Sequence, residues 1–166
     1  MTPTDTPPPP DSLLARLATQ SGAFADAYHL SFPRPVSLAE FVEAFYTTRL
    51  FKGERVLLAL FGKPSSDAMA RAVARGEGQR IAVWTVQARA GDELLMHEDS
   101  GATRSWFKAQ AGEGGGTMLW FGSAVIARRR GPDGQPRFSW VFHALLGFHR
   151  WYSRALLVAA AWRLAR

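Results

Sequence analysis

Few side chains in this 166-residue sequence are of a type that moves protons or holds a ligand. The four histidines, His29, His97, His143 and His149, form no HExxH or similar pair, and there is no cysteine. That removes disulfides, thiolate nucleophiles and cysteine zinc sites, so no metal and no cofactor is expected. The densest polar cluster is His97-Glu98-Asp99, in which an imidazole beside carboxylates fits a general base. Against that role, strand alternation puts His97 and Glu98 on opposite faces, and Asp99-Ser100-Gly101 is ordinary turn chemistry. His149 stands beside Arg150 among apolar residues near the C-terminus. Facing a pocket, its ring would hydrogen-bond a ligand carbonyl or phosphate. The commoner role is a structural bond to a neighbouring element.

The six tryptophans are many for this length. Trp84, Trp106 and Trp120 fall on three predicted strands, and on a shared face they would wall an apolar cavity. Filling a core between sheet and helix is the equal alternative. Glu54-Arg55 reads as a surface ion-pair couple. Arg128-Arg129-Arg130 reads as a solvated strand end, with phosphate or lipid head-group contact as its functional alternative.

Charge is unevenly placed. Residues 1–99 hold ten basic and twelve acidic side chains, whereas residues 100–166 hold ten basic and two acidic. A basic half attracts nucleic acid, anionic lipid or acidic ligands. Arginine supplies 17 of the 20 basic residues in an Ala-rich chain, which points to composition more than to a dedicated patch. No nucleic-acid recognition motif accompanies it, so nucleic-acid binding is not expected. Residues 1–11 (MTPTDTPPPPD) lack the basic start and apolar run of a signal peptide. They are expected to form a disordered, Pro-rich leader ahead of one domain over 12–166. No stretch reaches the roughly 18 apolar residues of a spanning helix, and a cytoplasmic location is the expectation.

These residues need elements to position them. Ser12 caps a short helix over Ser12–Gln20, which Gly22 ends. The run from Ala23 to Phe32 alternates Phe24, Asp26, Tyr28, Leu30 and Phe32 as a strand before Pro33. Ser37 and Glu40 form a capping box before Leu38, Phe41, Val42 and Phe45. Further helices are predicted over 51–61, with Val56, Leu57, Leu60 and Phe61 at helical spacing, and over 65–75. Near Arg80 the period changes to alternation, giving strands over 80–89, 93–98, 102–110 and 117–129 joined by short turns, an antiparallel meander. Gly122 lies inside the last of these as an expected kink or bulge. The final helix spans Trp140 to about Leu164. Phe148, Trp151, Tyr152, Ala155, Leu156 and Ala159 form its main stripe, while Phe142, Leu146, Leu157 and Trp162 point elsewhere. A helix that is apolar nearly all round is buried on two sides or meets a partner or membrane.

This order of strand, helices, antiparallel meander and long C-terminal helix resembles the START-like superfamily, which includes polyketide cyclases and the birch-pollen-allergen type. The segment Leu145-Leu146-Gly147-Phe148-His149-Arg150 through Leu156-Leu157 is similar to bacterial domains of unknown function within it. The resemblance covers residues 24–165. It implies an α+β helix-grip fold, a curved antiparallel sheet wrapped on the C-terminal helix, with an apolar cavity between them. It implies no single reaction, because the superfamily holds binders, transfer proteins, cyclases and bare scaffolds. Full helix-grip domains have about seven strands. Five are predicted here, which leaves the size of the cavity open. Related domains sit beside nicotinamide-binding domains, but neither Gly76-Glu77-Gly78 nor Gly114–Gly116 meets the strand-loop-helix criterion of a phosphate cradle.

The expected function is therefore binding of a small apolar or aromatic molecule between sheet and C-terminal helix. His149, Trp84, Trp106, Trp120, His97 and Tyr152 are the candidate contacts. The alternatives are a cyclase- or dehydratase-like enzyme using His149 or His97, and a membrane-surface or partner-docking protein. The latter would use the basic, apolar last helix with Arg150, Arg154 and Arg163, a surface that also admits a homo-oligomer.

Overall fold

The computed structural model describes residues 1–127, 129–130, 136–137 and 140–166, with side chains described for 1–127 and 147–166. Arg128, and the side chains of Arg129 and Arg130, therefore lie outside the described residues. The described strands are β1 (Thr4–Asp5), β2 (Phe24–Phe32), β3 (Arg80–Ile81), β4 (Trp84–Ala90), β5 (Glu93–Glu98), β6 (Thr103–Ala111), β7 (Thr117–Val125), β8 (Arg129–Arg130) and β9 (Pro136–Arg137). The helices are α1 (Leu13–Ser21), α2 (Leu38–Tyr46), α3 (Arg49–Leu60), α4 (Asp67–Arg75) and α5 (Trp140–Leu164). The fold is α+β. A curved, open antiparallel sheet of seven strands, ordered β1-β2-β7-β6-β5-β4-β3, is gripped by the long C-terminal helix. β8 and β9 pair as a separate small ribbon.

The two strands missing from the sequence reading are both two residues long. β3 precedes β4, separated by Ala82 and Val83, with Ala82 at a φ of 50°. β1 comes from the Pro-rich leader, where Thr4 pairs with His29 and Asp5 with Tyr28. Prolines at 3 and 7 donate no hydrogen bond, so the pairing stays short and stays at the sheet edge. The expectation of a disordered leader thus differs from the structure at this point.

Alternation assigns the two sheet faces. Tyr28, Leu30 and Phe32 of β2, Leu94 and Met96 of β5, Phe107 of β6 and Leu119 and Phe121 of β7 point to one face. There they meet Phe41, Val42 and Phe45 of α2 and Leu156, Leu157, Ala160 and Ala161 of α5 in the main core. The α2 ring of Phe45 sits 4.8 Å from Phe107 and 4.6 Å from Phe121, centroid to centroid. Burying each such ring contributes about 2–3 kcal/mol. The capping box starts α2, with Glu40 and Ser37 satisfying each other's backbone N–H groups.

The outer face carries a smaller cluster, in which Leu14 of α1 packs with Ala27, Leu95, Trp106, Trp120 and Ala124. Glu93 fastens this layer. Its carboxylate accepts from the Leu13 N–H and the Trp106 Nε1–H, each at 2.7 Å, and from Lys108 at 3.1 Å. Gly122 makes no bulge. The register runs unbroken through it, and the irregularity lies instead between Val86 and Ala88. Its lack of a side chain serves packing, because a Cβ there would stand 2.6 Å from Leu14 and 2.8 Å from the Asp26 carbonyl.

Candidate functional site

The inner face of the sheet changes character one row away from its aromatic centre. The row Tyr28–Phe121–Phe107 is large and apolar, and the next row is Asp26–Ser123–Ser105. Thr103 and Val125 begin the row beyond. Small hydroxyl side chains cannot fill the depth that phenyl rings fill beside them. The space they leave under α5 is a cavity of about 130 Å³. Ser105, Ser123 and Thr103 form its floor. Phe45, Tyr46, Phe51 and Phe121 form its apolar side, Trp84 stands at the β4 end, and His149, Tyr152, Ser153 and Leu156 of α5 cover it. A separate surface hollow of about 450 Å³ lies around Ser31, Gln110 and Met118, where Glu113 is the one titratable side chain on its wall. It brings no polar groups together from different layers.

Two polar assemblies meet the cavity. In the first, the Ser123 hydroxyl lies 2.6 Å from Asp26 Oδ1 and 2.6 Å from His149 Nε2, and the Tyr28 hydroxyl donates to Asp26 Oδ2 at 3.1 Å. Burial pushes the Asp26 carboxyl up, but the nearby His149 and the bonds from Ser123 and Tyr28 outweigh it and hold the group below its ordinary range. Asp26 is therefore ionised at neutral pH and only accepts. Ser123 must then spend its one hydrogen on Asp26, and His149 Nε2 must be the donor to Ser123. At 3.8 Å His149 Nε2 and Asp26 are not bonded directly, and the Ser123 hydroxyl carries the hydrogen bonds between them. A nucleophilic serine requires the reverse polarity, with histidine accepting the serine proton. The three residues hold one another and are not a hydrolytic triad.

In the second assembly the Tyr152 hydroxyl donates to Glu54 Oε2 at 2.5 Å, joining α5 to α3. Burial pushes the Glu54 carboxyl up, only partly offset by that bond. Burial likewise raises the Tyr152 phenol, reinforced by Glu54. Glu54 is not the partner of Arg55. That guanidinium turns away to Asp67 at 2.6 Å, which Lys52 also pairs at 2.6 Å. Among the described residues Glu54 makes no ion pair.

Of the six candidates, His149, Trp84 and Tyr152 border the cavity. Trp106 and Trp120 do not, because the β6–β7 register turns them to the outer face under α1. His97 pairs with Thr85 and Arg104, also on the outer face, and its Nδ1 lies 3.2 Å from the Glu98 carbonyl oxygen. The stripe of α5 is rotated from the predicted one. Ser153, Leu156, Leu157, Ala160 and Ala161 are buried, while Phe148 and Trp151 are 62% and 61% exposed. Sequence reasoning missed Asp26, Ser123 and Glu54 as site residues. Asp26 had a signal, as the one charged residue on the inward positions of an otherwise apolar alternating strand.

No protein-family model matches the chain, no curated protein matches it in sequence, and no solved structure matches its fold. Among the described residues, no group of three metal-ligating side chains converges and no helix is long and apolar enough to cross a membrane.

Proposed function

We propose that this protein is a small-molecule binding module of the START-like, helix-grip kind, with its ligand held between the sheet and α5. The observation that carries the reading is the 130 Å³ cavity, walled by Phe45, Phe51, Trp84 and Phe121 and met by the Ser105 and Ser123 hydroxyls from the sheet and the Glu54 carboxyl from the helical layer. An enclosed apolar cavity of about 150 Å³ holds a benzene molecule, so the ligand fits as a single ring or a chain of similar bulk. Drug-sized ligands need about 300 Å³ or more. A cyclase or dehydratase role is less favoured, because His149 Nε2 is engaged with Ser123.

The test is calorimetric titration with benzyl alcohol, against wild type and against Ser105→Leu, which fills the floor. Binding to wild type with at least about tenfold loss in the variant is expected. Equal binding to both, or none to the folded wild type, overturns the reading.

A second reading rests on a different observation. Val56, Leu57 and Leu60 of α3 and Phe61 just past its end, with Phe148 and Trp151 of α5, are each more than half exposed. The Phe148–Tyr152 stack and the Tyr152–Glu54 bond place the two helices side by side. Phe148 and Trp151 belong to the basic C-terminal third of the chain. Exposed apolar side chains on a basic segment suit the surface of an anionic bilayer. Co-sedimentation with phosphatidylserine vesicles, lost in the Leu60→Ser, Trp151→Ser double variant, is expected. Concentration-dependent dimerisation without vesicle binding would assign the patch to a second copy instead.

A further inference from the structure

We propose that the ligand of this cavity is a small organic cation, an arylalkyl or alkyl ammonium, whose nitrogen binds Glu54 between aromatic walls. The inference rests on the cavity being a ligand site and deepens it by naming charge and class.

The wall of the cavity carries acid without base to match it. Glu54 stands in the lining with the Tyr152 hydroxyl as its hydrogen-bond partner, and among the described residues neither lysine nor arginine lines the space. The basic side chain on the wall, His149, is turned to Ser123 and to Asp26 behind it. Asp26 itself adds negative potential from below the floor.

A partly buried carboxylate without a cation is costly, and the cost is removed when a cation arrives. Burial raises the Glu54 carboxyl, and a cation brought to it would favour the charged form. The remaining walls suit the same ligand. Trp84, Phe45, Phe51 and Phe121 line the space, and aromatic rings attract an ammonium more strongly once it is desolvated. A neutral ligand would leave Glu54 unpaired. A carboxylate or phosphate would face Glu54 and Asp26 together.

The experiment compares three probes of one shape on the full chain at pH 7.5 by calorimetry: benzylamine, benzyl alcohol and benzoate. Benzylamine is expected to bind about tenfold or more tightly than benzyl alcohol, with benzoate weakest. Glu54→Gln is expected to bring the amine-to-alcohol ratio near one, its folding checked by its thermal midpoint. The wild-type comparison decides the matter even if that variant fails to fold. Benzyl alcohol binding as tightly as benzylamine overturns the inference and leaves the binding module standing. Failure of all three probes overturns both.

Discussion

At the scale of the residue, two carboxyls in one site are pushed in opposite directions by their surroundings. Asp26 is met by donors from Ser123 and Tyr28 and stays charged. Glu54 has one phenolic donor and is pushed up by burial. The sign of the pH effect follows. A folded state that holds the Glu54 proton more tightly than the unfolded chain is most stable below the ordinary glutamate range. Its stability falls as pH rises from there through the raised folded value. Tyr46 on α2 and Tyr152 on α5 face the same carboxyl, and burial raises both phenols, so neither neutralises it. Glu54→Gln keeps a side-chain oxygen for Tyr152 and removes the charge. Its thermal midpoint at pH 7 is expected to exceed that of wild type by about 2 °C or more, with the difference vanishing near pH 4. A variant less stable at pH 7 would show that Glu54 is paired in the folded protein. The sequence displayed the cue for Asp26, an acid on the apolar side of a strand, but no cue for Glu54. The neighbouring Arg55 made an ordinary surface couple of it, and only the turn of Arg55 toward Asp67 reveals the difference.

At the scale of the element, what could be read was periodicity and capping. Ser12, Ser37 and Ser66 each accept from the third residue of their helix, as their spacing predicts. The change from helical to alternating period near Arg80 marks the start of the meander. What could not be read was which apolar face turns inward. On α5 both sides are apolar, so composition did not separate Phe148 and Trp151 from Leu156 and Ala160. On α3 and at its C-terminal cap the apolar run Val56, Leu57, Leu60 and Phe61 faces outward, while Phe51 and Glu54 face in. Gly122 shows the same limit, since glycine in a strand signals either a bulge or a close approach. Here it is the approach of Leu14 and Trp106. Gly122→Ala would overpack that contact against a backbone carbonyl, at a cost of about 1–3 kcal/mol. Chemical denaturation is expected to show that loss with an unchanged slope, and an unaltered midpoint would contradict the packing role.

At the scale of the whole molecule, the α+β helix-grip architecture was legible and the full strand count was not, because two-residue strands carry no period. The leader is the instructive part. Beyond its pairing to β2, it contributes the Asp5–Arg154 ion pair at 3.2 Å and the Thr6–His29 hydrogen bond at 3.2 Å. The ion pair is exposed and contributes at most about 1 kcal/mol. Deleting residues 1–11 is therefore expected to lower the thermal midpoint by about 2–6 °C, corresponding to roughly 1–2 kcal/mol in a domain of this length. No change would return the leader to the disordered state that its composition predicted.

The central claim is that ligand enters between the sheet and α5, and the six tryptophan indole N–H signals test it by position. Trp84 borders the cavity, while Trp106 and Trp120 lie on the opposite face of the same sheet. The measurement is a nitrogen-15 correlation titration of the full chain with benzylamine and, separately, benzyl alcohol. The account predicts a saturable shift of the Trp84 indole signal, together with the backbone amides of Ser105, Ser123 and Tyr152, while the Trp106 and Trp120 indoles stay fixed. Movement of the Trp106 and Trp120 indoles with Trp84 unmoved, or no saturable shift at all, would contradict it.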